Sequence, residues 1–205
     1  MSTTILSGVL SLLKENQQFP NYQAERRVDI FINYFLERIL TKYFEKEVTF
    51  VCPEFPLKDK DSNRSTKLDY LCKTDKEVIF VELKTDRFSF KLNQAKIYFD
   101  ANWEQCLADL EKISDATNGQ DNKTKYTKLK NVVTEKIGTK NYPIKVVYIA
   151  PLPGEKSDFA TSLKFENSKA LIDIDLLLDE DEKIVFEHLC NLKYPLHIFE
   201  AYSVL

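Results

Sequence analysis

Ligands for soft metals are scarce in this chain. Of its 205 residues only His188 and His197 are histidine, and neither lies in an HExxH-like spacing, which excludes a histidine-built zinc centre as the organising feature. The four cysteines, Cys52, Cys72, Cys106 and Cys190, are scattered and form no CxxC pair. That spacing suits small buried hydrophobes in a reducing compartment rather than a disulfide frame. No run approaches the ~20 apolar residues of a membrane span. The opening stretch MSTTILSGVLSLLKEN has an apolar patch without a basic region before it. A formal net charge of -3 argues against a generally cationic nucleic-acid binder, though positive charge gathered on one face is still compatible with such a role. Neither internal repeats nor low-complexity segments are visible. These absences point to a cytoplasmic protein with no membrane partner, folded as a single domain over residues 1–205.

The apolar pattern then sets out the elements. Ile5, Leu6, Val9, Leu10 and Leu13 recur at helical spacing, and Phe19-Pro20-Asn21 breaks the chain. A long amphipathic helix is predicted from Gln23 to Phe44, with Val28, Phe31, Ile32, Phe35, Ile39 and Leu40 along one stripe. Val48 to Val51 reads as a strand running into the extended piece Cys52 to Leu57, whose two prolines suit an edge or a bulge. Lys58 to Lys67 reads as a loop. Two short strands follow, with Lys73 to Lys76 as the turn between them. A second helix is expected from Asn93 to Ile113, a loop from Ser114 to Asn122, and then a lysine-rich stretch to about Lys140. Ile144 to Ala150 is a strong buried strand closed by Pro151 and Pro153. Beyond it, Ala170 to Leu178 reads as strand or loop, Glu180 to Leu192 as a helix capped by Asp179, and Leu196 to Leu205 as a last strand. The sum is helix, three strands, helix, strand and an addition: a mixed α/β domain.

The stretch Leu68 to Asp86 (LDYLCKTDKEVIFVELKTD) carries the chemistry. Asp69 lies in the first strand of the hairpin, and Glu82 and Lys84 follow the apolar run Val78-Ile79-Phe80-Val81. Ionised groups in a core-like strand are costly unless they pair or hold a metal. Residues two apart share a strand face, so Glu82 and Lys84 project together. With Lys73 opposed to Lys76, Asp69 falls opposite Phe80 and becomes the diagonal neighbour of Glu82. Diagonal pairs lie ~7–8 Å apart, close enough for two carboxylates to converge on one cation bound at ~2.1 Å. A one-residue change of register would place Asp69 on the other face. Hard carboxylate ligands with no histidine or cysteine beside them favour Mg²⁺ or Mn²⁺. Such an ion beside a lysine suits phosphodiester hydrolysis: the metal lowers the pKa of a bound water, and the ammonium orients that water or binds the scissile phosphate.

Asp69 with Glu82-Leu83-Lys84 resembles the signature of the PD-(D/E)XK nuclease superfamily, and the element order from Gln23 to Ala150 is similar to its αβββαβ core. The resemblance implies a restriction-endonuclease-like core, a central mixed β-sheet flanked by helices, spanning about 23–150, with 151–205 as a C-terminal α/β elaboration. It implies a Mg²⁺-dependent DNA nuclease in which Asp69 and Glu82 bind the metal, the Leu83 carbonyl is a further ligand, and Lys84 is the catalytic lysine. Many members carry a glutamate on the first core helix; Glu25 in AERR is the choice and Glu37 the competitor. Gln94-Ala95-Lys96-Ile97-Tyr98 matches the QxxxY pattern of RecB-like members. Gln94 and Tyr98 share a helix face at i, i+4, placed to hold the lysine or the DNA backbone. The proline that often precedes the first aspartate is absent, since Lys67-Leu68 stand there.

Several weaker features surround this set. Glu54 approaches the metal or is an exposed edge residue. Asp86 and Arg87 steady Lys84, touch phosphate or form a plain salt bridge. Lys123, Lys125, Lys128, Lys130, Lys136, Lys140 and Lys145, interleaved with Tyr126 and Tyr142, form the one strongly basic region. It is either a phosphate-attracting surface for DNA or a solvated helix face. The acidic stretch Asp173 to Glu182 has no assignable job. The leading expectation is a DNA nuclease, with a homodimer as one way to cut two strands. The alternative is a catalytically silent nucleic-acid- or protein-binding module of the same fold. A third reading makes the hairpin charges only a surface pair.

Overall fold

The computed structural model describes residues 24–58, 65–152, 163–165, 172–173 and 196–203. The helical patterns at 5–13 and 180–192 lie outside these residues, as does most of 170–178. The described chain runs α1 (Ala24–Phe44), β1 (Thr49–Lys58), β2 (Ser65–Lys73), β3 (Val78–Leu83), α2 (Leu92–Phe99), α3 (Trp103–Ala116), α4 (Gln120–Lys136), β4 (Ile144–Ala150), two short strands β5 (Leu163–Phe165) and β6 (Ile172–Asp173), and β7 (His197–Ser203).

The strands form one mixed sheet in the order β1-β2-β3-β4-β7-β5, with β6 also pairing β7. β1, β2 and β3 are an antiparallel meander. β4 then runs parallel to β3, which requires the long crossover that α2, α3 and α4 supply. The last strand, β7, returns antiparallel to β4, so the C-terminal elaboration extends the same sheet.

Side-chain parity divides the core between the two faces. Ile32, Leu36, Ile39 and Leu40 of α1 pack on Ile79, Val81 and Leu83 of β3 together with Val147 and Ile149 of β4. On the other face Tyr98, Trp103, Leu110 and Val133 of the three crossover helices pack on Val78, Phe80, Tyr148 and Phe199. β3 is therefore covered on both sides and buried at every position, which is why VIFV is a continuous apolar run and does not alternate. Glu82, two residues from Phe80, is carried into the helix-covered face.

Three predicted boundaries are corrected. The hairpin closes with Lys73 opposite Val78, so its loop is Thr74 to Glu77 and not Lys73 to Lys76. The Thr74 hydroxyl holds this loop by accepting from the amides of Lys76 and Glu77. The helix expected over Asn93 to Ile113 is two helices, because Asp100 ends α2 and the Asn102 side chain caps α3 by accepting from the Gln105 amide. This break contains neither proline nor glycine, the usual interruptions. The loop expected over Ser114 to Asn122 shrinks to about three residues, since α4 already begins at Gln120 after Gly119, whose φ is 91°.

β1 lies at the edge of the sheet, where Pro53 and Pro56 leave no central ladder bond unmade. At Glu54 its backbone enters the left-handed region, with φ 50°, and the strand bends. The exposed Glu54 carboxylate pairs with Lys67 across the β1–β2 ladder at 2.8 Å. It is the exposed edge residue of the second reading.

Candidate functional site

The β2–β3 ladder stops at Tyr70 opposite Val81. One step further on, Asp69 and Glu82 stand across from each other where the strands part. The next bond is made by a side chain: the Leu83 amide donates to Asp69 Oδ2 at 2.8 Å. The register differs by two residues from the one inferred from the turn. An even displacement preserves the face, so the diagonal neighbours become direct ones.

Glu82 is 1 % exposed and Lys84 8 %, and both Glu82 oxygens are engaged. Lys84 Nζ donates to Oε1 in a short contact. The Tyr98 hydroxyl donates to Oε2 at 2.6 Å. Gln94 Nε2 in turn donates to the Tyr98 oxygen at 2.7 Å. The QxxxY face of α2 is thus joined to the strand charges, but its tyrosine grips the glutamate instead of the lysine. Tyr98 also lies 3.4 Å from the Lys67 carbonyl; its single proton goes to the nearer carboxylate. Burial and the charge of Glu82 both push the Tyr98 phenol up, so it stays a donor. Tyr148, beside Glu82 in the β3–β4 register, is pushed up by the same two causes. Behind Lys84 its own amide donates to the Ile149 carbonyl at 2.9 Å, fixing the base of the side chain.

Asp69 is perturbed as well. Burial, and then the charge of Glu82, push its carboxyl up to about 7, against the opposing pull of the Leu83 amide and Lys84. Asp29 adds a smaller push in the same direction. The sequence alone does not single that residue out. It lies on α1, its carboxylate accepts the Tyr70 hydroxyl, and the same hydroxyl reaches the Asp29 carbonyl at 3.2 Å. Its position four residues after Glu25, on the same helix face, is the signal that would have found it.

Glu25 falls in the first turn of α1, and its side chain is outside the described ones. Glu37, its competitor, accepts the Phe50 amide at 2.7 Å and serves the start of β1. Asp86 closes the loop after β3 by accepting from the Phe88 amide at 2.7 Å. Its carbonyl accepts the Ser89 hydroxyl, and Arg87 stacks toward Phe88. The basic stretch divides. Lys123, Lys125 and Lys128 are exposed on α4, whereas Lys130 pairs with Glu111, Lys136 donates to the Phe50 carbonyl, and Lys145 pairs with Glu200 and Glu77.

Among the described residues no three His, Cys, Asp or Glu side chains gather around one point. Asp69 and Glu82 nonetheless fit a hard divalent ion. They are two oxygen donors forced together in a partly dry place, and their mutual repulsion is what a cation relieves. Mg²⁺ commonly takes only one or two protein carboxylates, with water and substrate phosphate completing its shell. No helix among the described residues is long and apolar enough to cross a membrane. No protein-family model matches the chain, and the searches of curated proteins and of solved structures found no match.

Proposed function

We propose that the protein is a metal-dependent nuclease of the PD-(D/E)XK type, hydrolysing DNA phosphodiester bonds at Asp69, Glu82 and Lys84. The observation that carries this reading is the convergence of those three side chains at the parting of β2 and β3, with Gln94 and Tyr98 linked to them from α2. Supporting it is the order of a helix, an antiparallel meander, crossover helices and a parallel strand, which is similar to the core that the sequence motif implies.

Asp69 and Glu82 would hold Mg²⁺ or Mn²⁺, with the Leu83 carbonyl as a third donor. The bound ion supplies a water of lowered pKa and positive charge near the phosphate. Tyr98, itself fixed by Gln94, holds one Glu82 oxygen and so sets the carboxylate plane. Lys84 supplies a positive group to orient the attacking water or to neutralise charge on the phosphate. In the resting site its ammonium donates to Glu82, which aims it at the same place. Asp69, whose carboxyl is pushed up to about 7, would give up its proton to make room for such a cation.

A second reading, a catalytically silent nucleic-acid- or protein-binding module, draws on one observation: Lys84 and Tyr98 already occupy both Glu82 oxygens. Cleavage of duplex, single-stranded and branched DNA with Mg²⁺ or Mn²⁺ decides between them. Cutting that needs the metal and is lost in Asp69→Ala and in Lys84→Ala supports the nuclease. Failure to cut any of the three substrates, with affinity for DNA retained, supports the silent module.

A further inference from the structure

Phe88 stands out among the large apolar side chains near the site. It is 71 % exposed, whereas Phe80, Tyr98 and Tyr148 are at most 1 % exposed. The segment that carries it is held at both ends. The Lys84 amide is bonded to the Ile149 carbonyl, and Phe90 packs on Tyr148 with ring centroids 5.7 Å apart. Between them the Asp86 side chain and carbonyl take the Phe88 amide, the Ser89 amide and the Ser89 hydroxyl. The Arg87 guanidinium lies 6.0 Å from the Phe88 ring centroid and supports it from one side. The backbone on which this exposed ring stands is therefore braced by the chain around it. It follows Lys84 by four residues, so their Cα atoms are at most ~14 Å apart. That span covers only about four steps of a stacked nucleic-acid strand at ~3.4 Å each.

We infer that Phe88 is a stacking platform for an unpaired base next to the scissile phosphate, so that the protein favours single-stranded or frayed DNA over continuous duplex. The inference rests on the nuclease reading. A braced aromatic with an open face loses little freedom on binding and takes any base, because every base offers a π face. A paired base inside a duplex has both faces already covered by its neighbours.

The test uses the full chain in EDTA, so that binding is read without cutting. Phe88→Trp places an exposed indole at the platform, while the native Trp103, 0 % exposed, supplies an invariant background. The emission of Phe88→Trp should be quenched by oligo(dT) and not by an abasic strand of equal length, with the wild type unchanged by either. Phe88→Ala should bind oligo(dT) roughly 5- to 150-fold more weakly and a blunt duplex nearly as well as the wild type does. Phe88→Leu should not restore the affinity. An unquenched indole, or a leucine variant that binds like wild type, overturns the platform; the second result would instead mark Phe88 as an apolar contact for a protein. Cleavage by the wild type with Mg²⁺ is scored separately. Cutting without quenching sinks the platform alone, quenching without cutting sinks the nuclease alone, and a chain that does neither sinks both.

Discussion

Lys84 and Lys130 each hold a glutamate, and the two pairs have little else in common. Glu82 lies in the covered strand β3 and Lys84 just past its end, with side chains 1 % and 10 % exposed. Lys130 of α4 meets Glu111 of α3 directly on the surface, with side chains 44 % and 58 % exposed. In the exposed pair, solvent and salt screen the attraction, and two long side chains lose freedom to make it. In the buried pair each charge has lost its water and depends on the other. A sequence under pressure only for stability would fill positions 82 and 84 with apolar residues of similar volume, as it does at Val78 to Val81. The contrast therefore separates a charge pair held inside the fold from one left in solvent, and the first is the pair on which the proposed chemistry rests.

Breaking each pair tests the contrast, and the largest effect belongs to Lys84. Lys84→Met strands the Glu82 charge and should cost about 3–5 kcal/mol in denaturant unfolding. The double variant Lys84→Met/Glu82→Leu should recover most of that stability while having no nuclease activity. If the single variant is as stable as wild type, the buried pair is not what it is taken to be. Activity in a Lys84 variant that does remain folded should fall roughly 10²–10³-fold.

Next is Tyr98→Phe, which removes the donor to Glu82 Oε2 and should lower stability by about 1.5–3 kcal/mol. The same change should weaken Mg²⁺ binding, measured calorimetrically, because the Glu82 carboxylate is no longer fixed in plane. Substitution of Lys130 by Ala, by comparison, should leave the unfolding midpoint where it was.

A smaller effect follows from Asp69. In the folded chain its carboxyl titrates at about 7, against 3.8 for the unperturbed group. Between those values the folded state binds more protons than the unfolded one, so stability declines as pH rises through the window. Asp69→Asn cannot ionise and should escape this decline. Its melting temperature should exceed that of wild type by a few degrees at about pH 8, and the gap should close toward about pH 4. Saturating Mg²⁺ at the higher pH should raise the wild-type melting temperature and leave Asp69→Asn unmoved.

The smallest effect concerns the exposed lysines. Replacing Lys123, Lys125 and Lys128 with Gln should leave cleavage at low salt nearly intact. It should also reduce the slope of log affinity against log salt by ~0.7–0.9 for each phosphate that the lysines no longer neutralise. An unchanged slope would assign α4 to solvation and take the basic stretch out of DNA binding.

The same contrast explains what could be read from the residues alone. Glu82 and Lys84 were legible because strand parity depends only on counting, and VIFV marks a covered strand with no turn inside it. Asp69 was legible for a less secure reason. The hairpin loop is Thr74 to Glu77, and its displacement by an even number left Asp69 on the right face. Asp29 was missed because a single aspartate on an amphipathic helix looks like any solvated residue until β2 is laid beside it. Nor could the bond from Tyr98 to Glu82 be foreseen, because the helix spacing places Gln94 and Tyr98 together without saying which strand charge they meet. The start of α4 and the break at Asp100 to Asn102 were hidden for a common reason. Each is set by a single position, Gly119 at one and Asn102 at the other, with no proline to announce it.

One feature of the fork between β2 and β3 bears on how the site can be watched. The Leu83 amide is satisfied by a side chain, Asp69, where the ladder would otherwise offer a carbonyl. Its proton therefore senses the charge of that carboxylate directly, with no intervening bond of the sheet. In an NMR spectrum the Leu83 resonance becomes a single-atom gauge of the site: it moves as Asp69 loses its proton, moves again when a cation arrives, and stays still in Asp69→Asn.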